Sequence, residues 1–121
     1  MNSRTLLKLF ILFFIFSIIF VCGKKLTDKE MMEFAQKESL RGNPEKAVSY
    51  YEKIVRIHPD SELCPTALFM IGYVNANELK NYEEASKVYS EFLEKYPENE
   101  LVSSVNFELE NMGKSPEQLV P

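Results

Sequence analysis

The segment NYEEASKVYSEFLEKYPENE at 81–100 restates NPEKAVSYYEKIVRIHPDSE at 43–62, with an offset of 38 residues. When 43–71 is laid on 81–109, eight of 29 positions are identical: Asn43/Asn81, Glu45/Glu83, Ala47/Ala85, Tyr51/Tyr89, Pro59/Pro97, Glu62/Glu100, Leu63/Leu101 and Phe69/Phe107. Self-similarity at a period of 20–50 residues is the mark of stacked supersecondary units, so the repeat constrains the fold more than any other feature.

The unit reads as a pair of helices. Asn43 and Asn81 suit an N-cap, whose side-chain oxygen accepts from an orphan backbone N–H, and Pro44 suits the first helical position. Apolar residues follow at helical spacing: Ala47, Tyr51, Ile54 and Val55, then Ala85, Val88, Tyr89, Phe92 and Leu93. Pro59 and Pro97 end these helices because the residue before proline disfavours the α conformation. Asp60/Ser61 and Asn99 then cap the next pair. Thr27-Asp28-Lys29-Glu30 spells a capping box ahead of Met31, Phe34, Ala35 and Leu40, with Gly42 closing that helix. Five helices result, at about 27–41, 44–58, 61–79, 82–96 and 99–112, joined by short connections that make neighbours antiparallel. In the third, Leu63, Ala67, Met70, Ile71 and Val74 form one side. Gly72 at its centre costs about 1 kcal/mol against alanine, acceptable where a neighbouring backbone must approach closely. No alternating strand pattern is present in 23–121, and the fold class is all-α.

These residues resemble tetratricopeptide repeats over 27–112. In that family the second helix of each unit carries an alanine, an aromatic residue four positions on and a proline past its end, matched here by Ala47, Tyr51, Pro59 and Ala85, Tyr89, Pro97. The first helix carries a large residue followed by a small one at the helix crossing, matched by Phe34-Ala35 and Ile71-Gly72. The 38-residue period and the missing tryptophan depart from the usual unit of 34. The resemblance implies a short right-handed superhelix of antiparallel helix pairs, with repeats at about 27–60 and 61–98, a capping helix at 99–112 and a tail at 113–121. It also implies a concave groove, lined by the first helices, that takes a protein or peptide. The flanking positions that would face it are Met32, Gln36, Ser39, Phe69, Tyr73 and Ala76, with Phe107 on the closing helix.

Residues 1–22 are of another kind. Arg4 and Lys8 are their only charges, and 9–21 is apolar but for Ser17. An apolar run ending at Cys22 has the length of an export signal and falls short of the roughly 20 residues that cross a membrane. Cys22 ends it where the lipidated cysteine of a bacterial lipoprotein stands, although Val21 replaces the small residue that pattern carries. Lipidation at Cys22, an uncleaved anchor and simple secretion are the three readings. Each places 23–121, with 23–26 as a linker, on the periplasmic side of a bacterial cell envelope. On an exported, tethered chain, longer repeats of this kind resemble two envelope groups: the lipoprotein component of the outer-membrane protein assembly machinery and the periplasmic coordinator of the Tol-Pal system.

Residues 23–121 hold 12 basic and 18 acidic side chains, a balance that argues against nucleic acid as a partner. Catalysis has little material. His58 is the sole histidine and stands where imidazole suits a helix C-terminus. Cys64 reads as a small buried residue between repeats, with a reactive thiol or a bond to Cys22 as alternatives. No spacing suggests a metal, cofactor or catalytic base, so no enzyme activity is expected. The expectation is a membrane-tethered adaptor or scaffold that binds a protein or peptide. The alternative is a structural module that associates with itself as a homo-oligomer.

Overall fold

The computed structural model of the chain describes residues 2–19 and 23–119. It contains helices α1 (Ser3–Ile19), α2 (Asp28–Leu40), α3 (Pro44–Ile57), α4 (Cys64–Asn77), α5 (Tyr82–Lys95) and α6 (Val102–Asn111), then one 3₁₀ turn at Pro116–Gln118. No strand occurs among the described residues, in keeping with the all-α expectation. Cys22, and with it the lipidation and disulfide readings, lies outside the described residues.

α1 has 17 residues, and its side chains up to Phe13 are all exposed. Among the described residues, no helix is long and apolar enough to cross a membrane.

From α2 to α6, each helix packs on the next. The pairing of α2 with α3 is antiparallel: the segment before α2 meets the end of α3, where His58 Nε2 donates to the Leu26 carbonyl at 3.1 Å. The other end of α2 meets the start of α3, where Glu38 accepts from Asn43 and Lys46. α3 and α5 each bury one stripe: Ala47, Tyr51 and Ile54, and Ala85, Val88, Tyr89 and Phe92. The matched alanines and tyrosines of the two repeats are all at most 1 % exposed. α4 differs from the single-sided helix expected, because Leu68, Asn75 and Ala76 are buried as well as Ala67, Ile71 and Val74. It lies between α3 and α5, and a helix covered on both flanks must be apolar nearly all round. Val105 of α6 is fully buried, as is its counterpart Ala67, so α6 occupies on α5 the place that α4 occupies on α3.

The ends of the helices explain the register. The capping box forms as expected: Glu30 N–H donates to Thr27 Oγ1 at 3.1 Å, and Thr27 N–H to Glu30 Oε2 at 2.9 Å. Asn81 caps α5 by accepting from Glu84 N–H. Asn43 does not cap α3. Its Nδ2 instead donates to Glu38 Oε2 at 2.8 Å, a charge-assisted bond that ties the side chain to α2. α4 and α6 begin three residues later than the sequence suggested. Ser61 Oγ and Asn99 Oδ1 accept from the N–H two residues on, at 3.1 and 2.9 Å, and so hold a turn ahead of each helix.

Gly72 is a site of close approach, but to the Tyr89 ring and not to the neighbouring backbone expected. A Cβ there would lie 2.7 Å from Cδ1 of Tyr89, well inside van der Waals contact, so only glycine lets the tyrosine ring lie against α4. The crossing expected at Phe34-Ala35 is correct only for Ala35, which is fully buried. Phe34 is 39 % exposed and stacks on Tyr50 with ring centroids 5.5 Å apart. Pro59 and Pro97 lie exposed in turns, as residues that end helices rather than pack them.

Candidate functional site

Because α3 and α5 cover α4 on both flanks, α4 leaves open only a stripe through Thr66, Phe69, Tyr73 and Asn77. Phe69 is half-buried and stacks on Tyr73, with centroids 6.1 Å apart. It tilts against Tyr89 behind it at 6.0 Å, so the aromatic pair rests on a core ring. Tyr73 is 37 % exposed. Asn77 Nδ2 donates to the Tyr73 carbonyl and, at 3.1 Å, to Glu108 Oε2, which ties α4 to α6 across the far end of the stripe.

Beneath this surface the Tyr89 hydroxyl is enclosed and has no partner in the protein. Burial, and then the nearby Glu108 carboxylate, push its phenol pKa upward, so it stays a neutral hydroxyl. An unpaired buried hydroxyl is costly. Ser39 Oγ at the end of α2 is likewise enclosed and unpartnered.

The seven residues expected to face a groove divide. Phe69 and Tyr73 stand together on α4, and Gln36 is exposed on α2 with half-buried Ser39 one turn on. Met32 and Ala76 are corrections: they are 8 % and 3 % exposed and belong to the core, because their helices rotate them against their neighbours. Phe107 is 58 % exposed and makes no aromatic pair with Phe69. It borders a separate depression of about 130 Å³ with Asn77, Lys80, Tyr82 and Leu119.

Two residues that the sequence pattern passed over hold the helix pairs in shape. Glu38 and Asn75, buried near the C-terminal ends of α2 and α4, occupy matching places in the two repeats. The Glu38 carbonyl accepts from Asn43 N–H at 2.9 Å, and the Asn75 carbonyl from Asn81 N–H at 2.8 Å. The Asn43 amide, aided by Lys46 and Arg41, holds the Glu38 carboxyl below the usual carboxylate range against the opposing effect of burial. A polar residue on an otherwise apolar helix face just before a turn was the available signal.

The residues considered for catalysis have structural places. His58 donates to Leu26, and Asp28 accepts a short hydrogen bond from Ser61, so together they fasten the chain before α2 to the end of α3. Cys64 is a free, buried thiol donating to the His58 carbonyl at 3.0 Å. Burial pushes its pKa up, the reverse of an activated nucleophile. Among the described residues, no group of three or more His, Cys, Asp or Glu side chains is placed to hold a metal.

Stacked helix pairs with an open stripe on the inner helix define a helical-repeat interaction module. The family model described as Tetratricopeptide repeat matches the chain at residues 32–61 and 66–99, more than half its length, and the chain belongs to that family. Neither the curated proteins nor the solved structures contain a match to it. The two matched segments reproduce the pairing of α2 with α3 and of α4 with α5. Repeats of this family act as protein-interaction scaffolds and not typically as enzymes.

Proposed function

We propose that this chain is a membrane-tethered adaptor of a bacterial cell envelope that captures a protein or peptide along the α4 stripe, between α2 and α6. The observation that carries the reading is the Phe69–Tyr73 pair: a half-buried and an exposed aromatic ring stacked on the open face of an otherwise buried helix. Rigid aromatic side chains seated on a packed core are the kind that dominate binding energy at interfaces.

Tethering is supported by the apolar, exposed α1 and by the position of Cys22 at the end of that run. Lipid on Cys22 and retention of α1 as an anchor both deliver the same arrangement, with the repeats on the periplasmic side. The test is a pull-down from native membranes with the wild-type chain and with Phe69→Ala/Tyr73→Ala. A partner retained by the first and lost by the second is the expected result, and equal recovery removes the groove from the account. Mass spectrometry of the N-terminus decides between a lipidated Cys22 and an intact leader.

Self-association is the second reading, favoured by Phe34 and Tyr50, which stack at the uncovered outer end of the array. Sedimentation equilibrium at micromolar concentration tests it. A strict monomer ends that reading.

A further inference from the structure

Charge is distributed unevenly along the repeats. Residues 23–57 hold eight Lys and Arg against six Asp and Glu, whereas 58–121 hold four against twelve. The surplus cations of the first part gather around an apolar depression of about 450 Å³. Leu26, Met31 and Ile57 form its apolar lining, with Lys25 and Lys53 at its edge. An adjoining depression of about 380 Å³ adds Arg56, with Ser49 and Glu52 beside it. Ile57 is 46 % exposed. Among the described residues, Lys25, Lys53 and Arg56 take part in no ion pair, although Lys24, Arg41, Lys46, Lys87 and Lys95 all do. Lys53 Nζ lies 4.8 Å above the Tyr50 ring, which in turn stacks on exposed Phe34. Acids line the neighbouring depressions, Glu52 in one and Asp28 and Asp60 in another, and Asp28 is engaged by Ser61 and Glu30 by Lys24 and Thr27.

Exposed Ile57 and half-buried Leu26 beside unpaired cations, with an aromatic ledge alongside, match the chemistry of a bilayer interface. There apolar groups enter the headgroup layer and lysine and arginine stay at the phosphates. The location agrees. Lys25 is six residues from Ile19 and three from Cys22. At about 3.3–3.6 Å per residue, six residues span at most ~22 Å, so any anchor at either point keeps the patch close to the membrane. The bonds from His58 to Leu26 and from Ser61 to Asp28 fix the chain before α2 to the same corner.

We propose that this corner of the first helix pair is a docking surface for an anionic phospholipid membrane, distinct from the α4 stripe. Leu26 and Ile57 dip into the headgroup layer, and Lys25, Lys53 and Arg56 meet the phosphates. Its placement rests on the tethered reading. Its charge requirement does not.

The chain contains no tryptophan, so Ile57→Trp in the full-length protein gives a single fluorescent reporter. It is mixed with vesicles of brominated phosphatidylcholine, alone or with a third of phosphatidylglycerol. The indole should shift to the blue and be quenched only when phosphatidylglycerol is present. Adding Lys25→Glu, Lys53→Glu and Arg56→Glu should weaken that response at least about tenfold, three cations each contributing to attraction by an anionic surface. The matching Gln substitutions should fall between, with helix content by circular dichroism unchanged in both sets. Equal quenching on both vesicles, or quenching that survives charge reversal, overturns the proposal. So does a dimer in sedimentation equilibrium that the reversal dissolves, since a second copy then occupies the surface. If the tethered reading alone is wrong, the protein fails to co-sediment with phosphatidylcholine vesicles while the phosphatidylglycerol-dependent quenching remains.

Discussion

The two asparagines at matching positions behave differently, and the difference can be measured. Asn81 accepts a backbone N–H at the positive end of α5, so Asn81→Asp should be neutral or slightly stabilising. Asn43 donates to Glu38 at 2.8 Å, so Asn43→Asp would set two carboxylates against each other and should lower the urea midpoint clearly. Glu38 itself should register in the acid limb. Its folded pKa is depressed below the ordinary 4.5, so the folded state binds fewer protons there than the unfolded chain. The stability this supplies is present above that value and is lost as pH falls through the depressed one. Glu38→Gln should therefore be less stable at pH 7 and show a shallower loss between about pH 5 and 3, read from urea midpoints across that range. At Gly72 two effects oppose. Alanine gains up to about 1 kcal/mol of helix propensity, but overpacking a closed core costs about 1–3 kcal/mol. The ring of Tyr89 is fully buried and cannot swing clear, so Gly72→Ala should lower the melting temperature.

At the scale of elements, the sequence was most legible where a helix end is governed by its own neighbours. The Thr27 box and the closing Gly42, at φ +77°, form as their local residues dictate. Legibility failed where a partner outside the local pattern intervened. Asn43 looked like Asn81 until Glu38, five residues back and buried, claimed its amide. Met32 and Ala76 were misplaced because the rotation of α2 and α4 depends on what covers them, which a single helix pattern does not state. Phe34 was misread because its counterpart Ile71 lies on a helix packed between α3 and α5, whereas α2 packs on α3 and leaves Phe34 39 % exposed; the inner helices are offset by 37 residues, one short of the 38 between α3 and α5. The second repeat takes up that residue in its turn, where Lys80 sits at φ +55°. α6 is the last α-helix among the described residues, and it buries Val105 completely against the array. A chain ending at Glu98 should lose that cover, melt at lower temperature and elute from gel filtration as self-associated species.

Taken whole, α2 to α6 form a chain of nearest-neighbour contacts, so stability should decline from the middle outward. Amide exchange should be slowest in α3, α4 and α5, and faster in α2 and α6; uniform protection would mean the helices unfold as one block. The joints within this array are copies of each other. In the turns at 58–63 and 96–101, Ser61 N–H and Asn99 N–H donate to the carbonyl three residues back at 2.9 and 3.1 Å, and Cys64 N–H and Val102 N–H do the same at 3.1 Å each. A helix leaving α5 thus meets the same doorway as one leaving α3. Duplicating 61–98 as a cassette after Glu98 should therefore lengthen the solenoid by one rung, and evolution or a protein engineer has the same seam available for growing it.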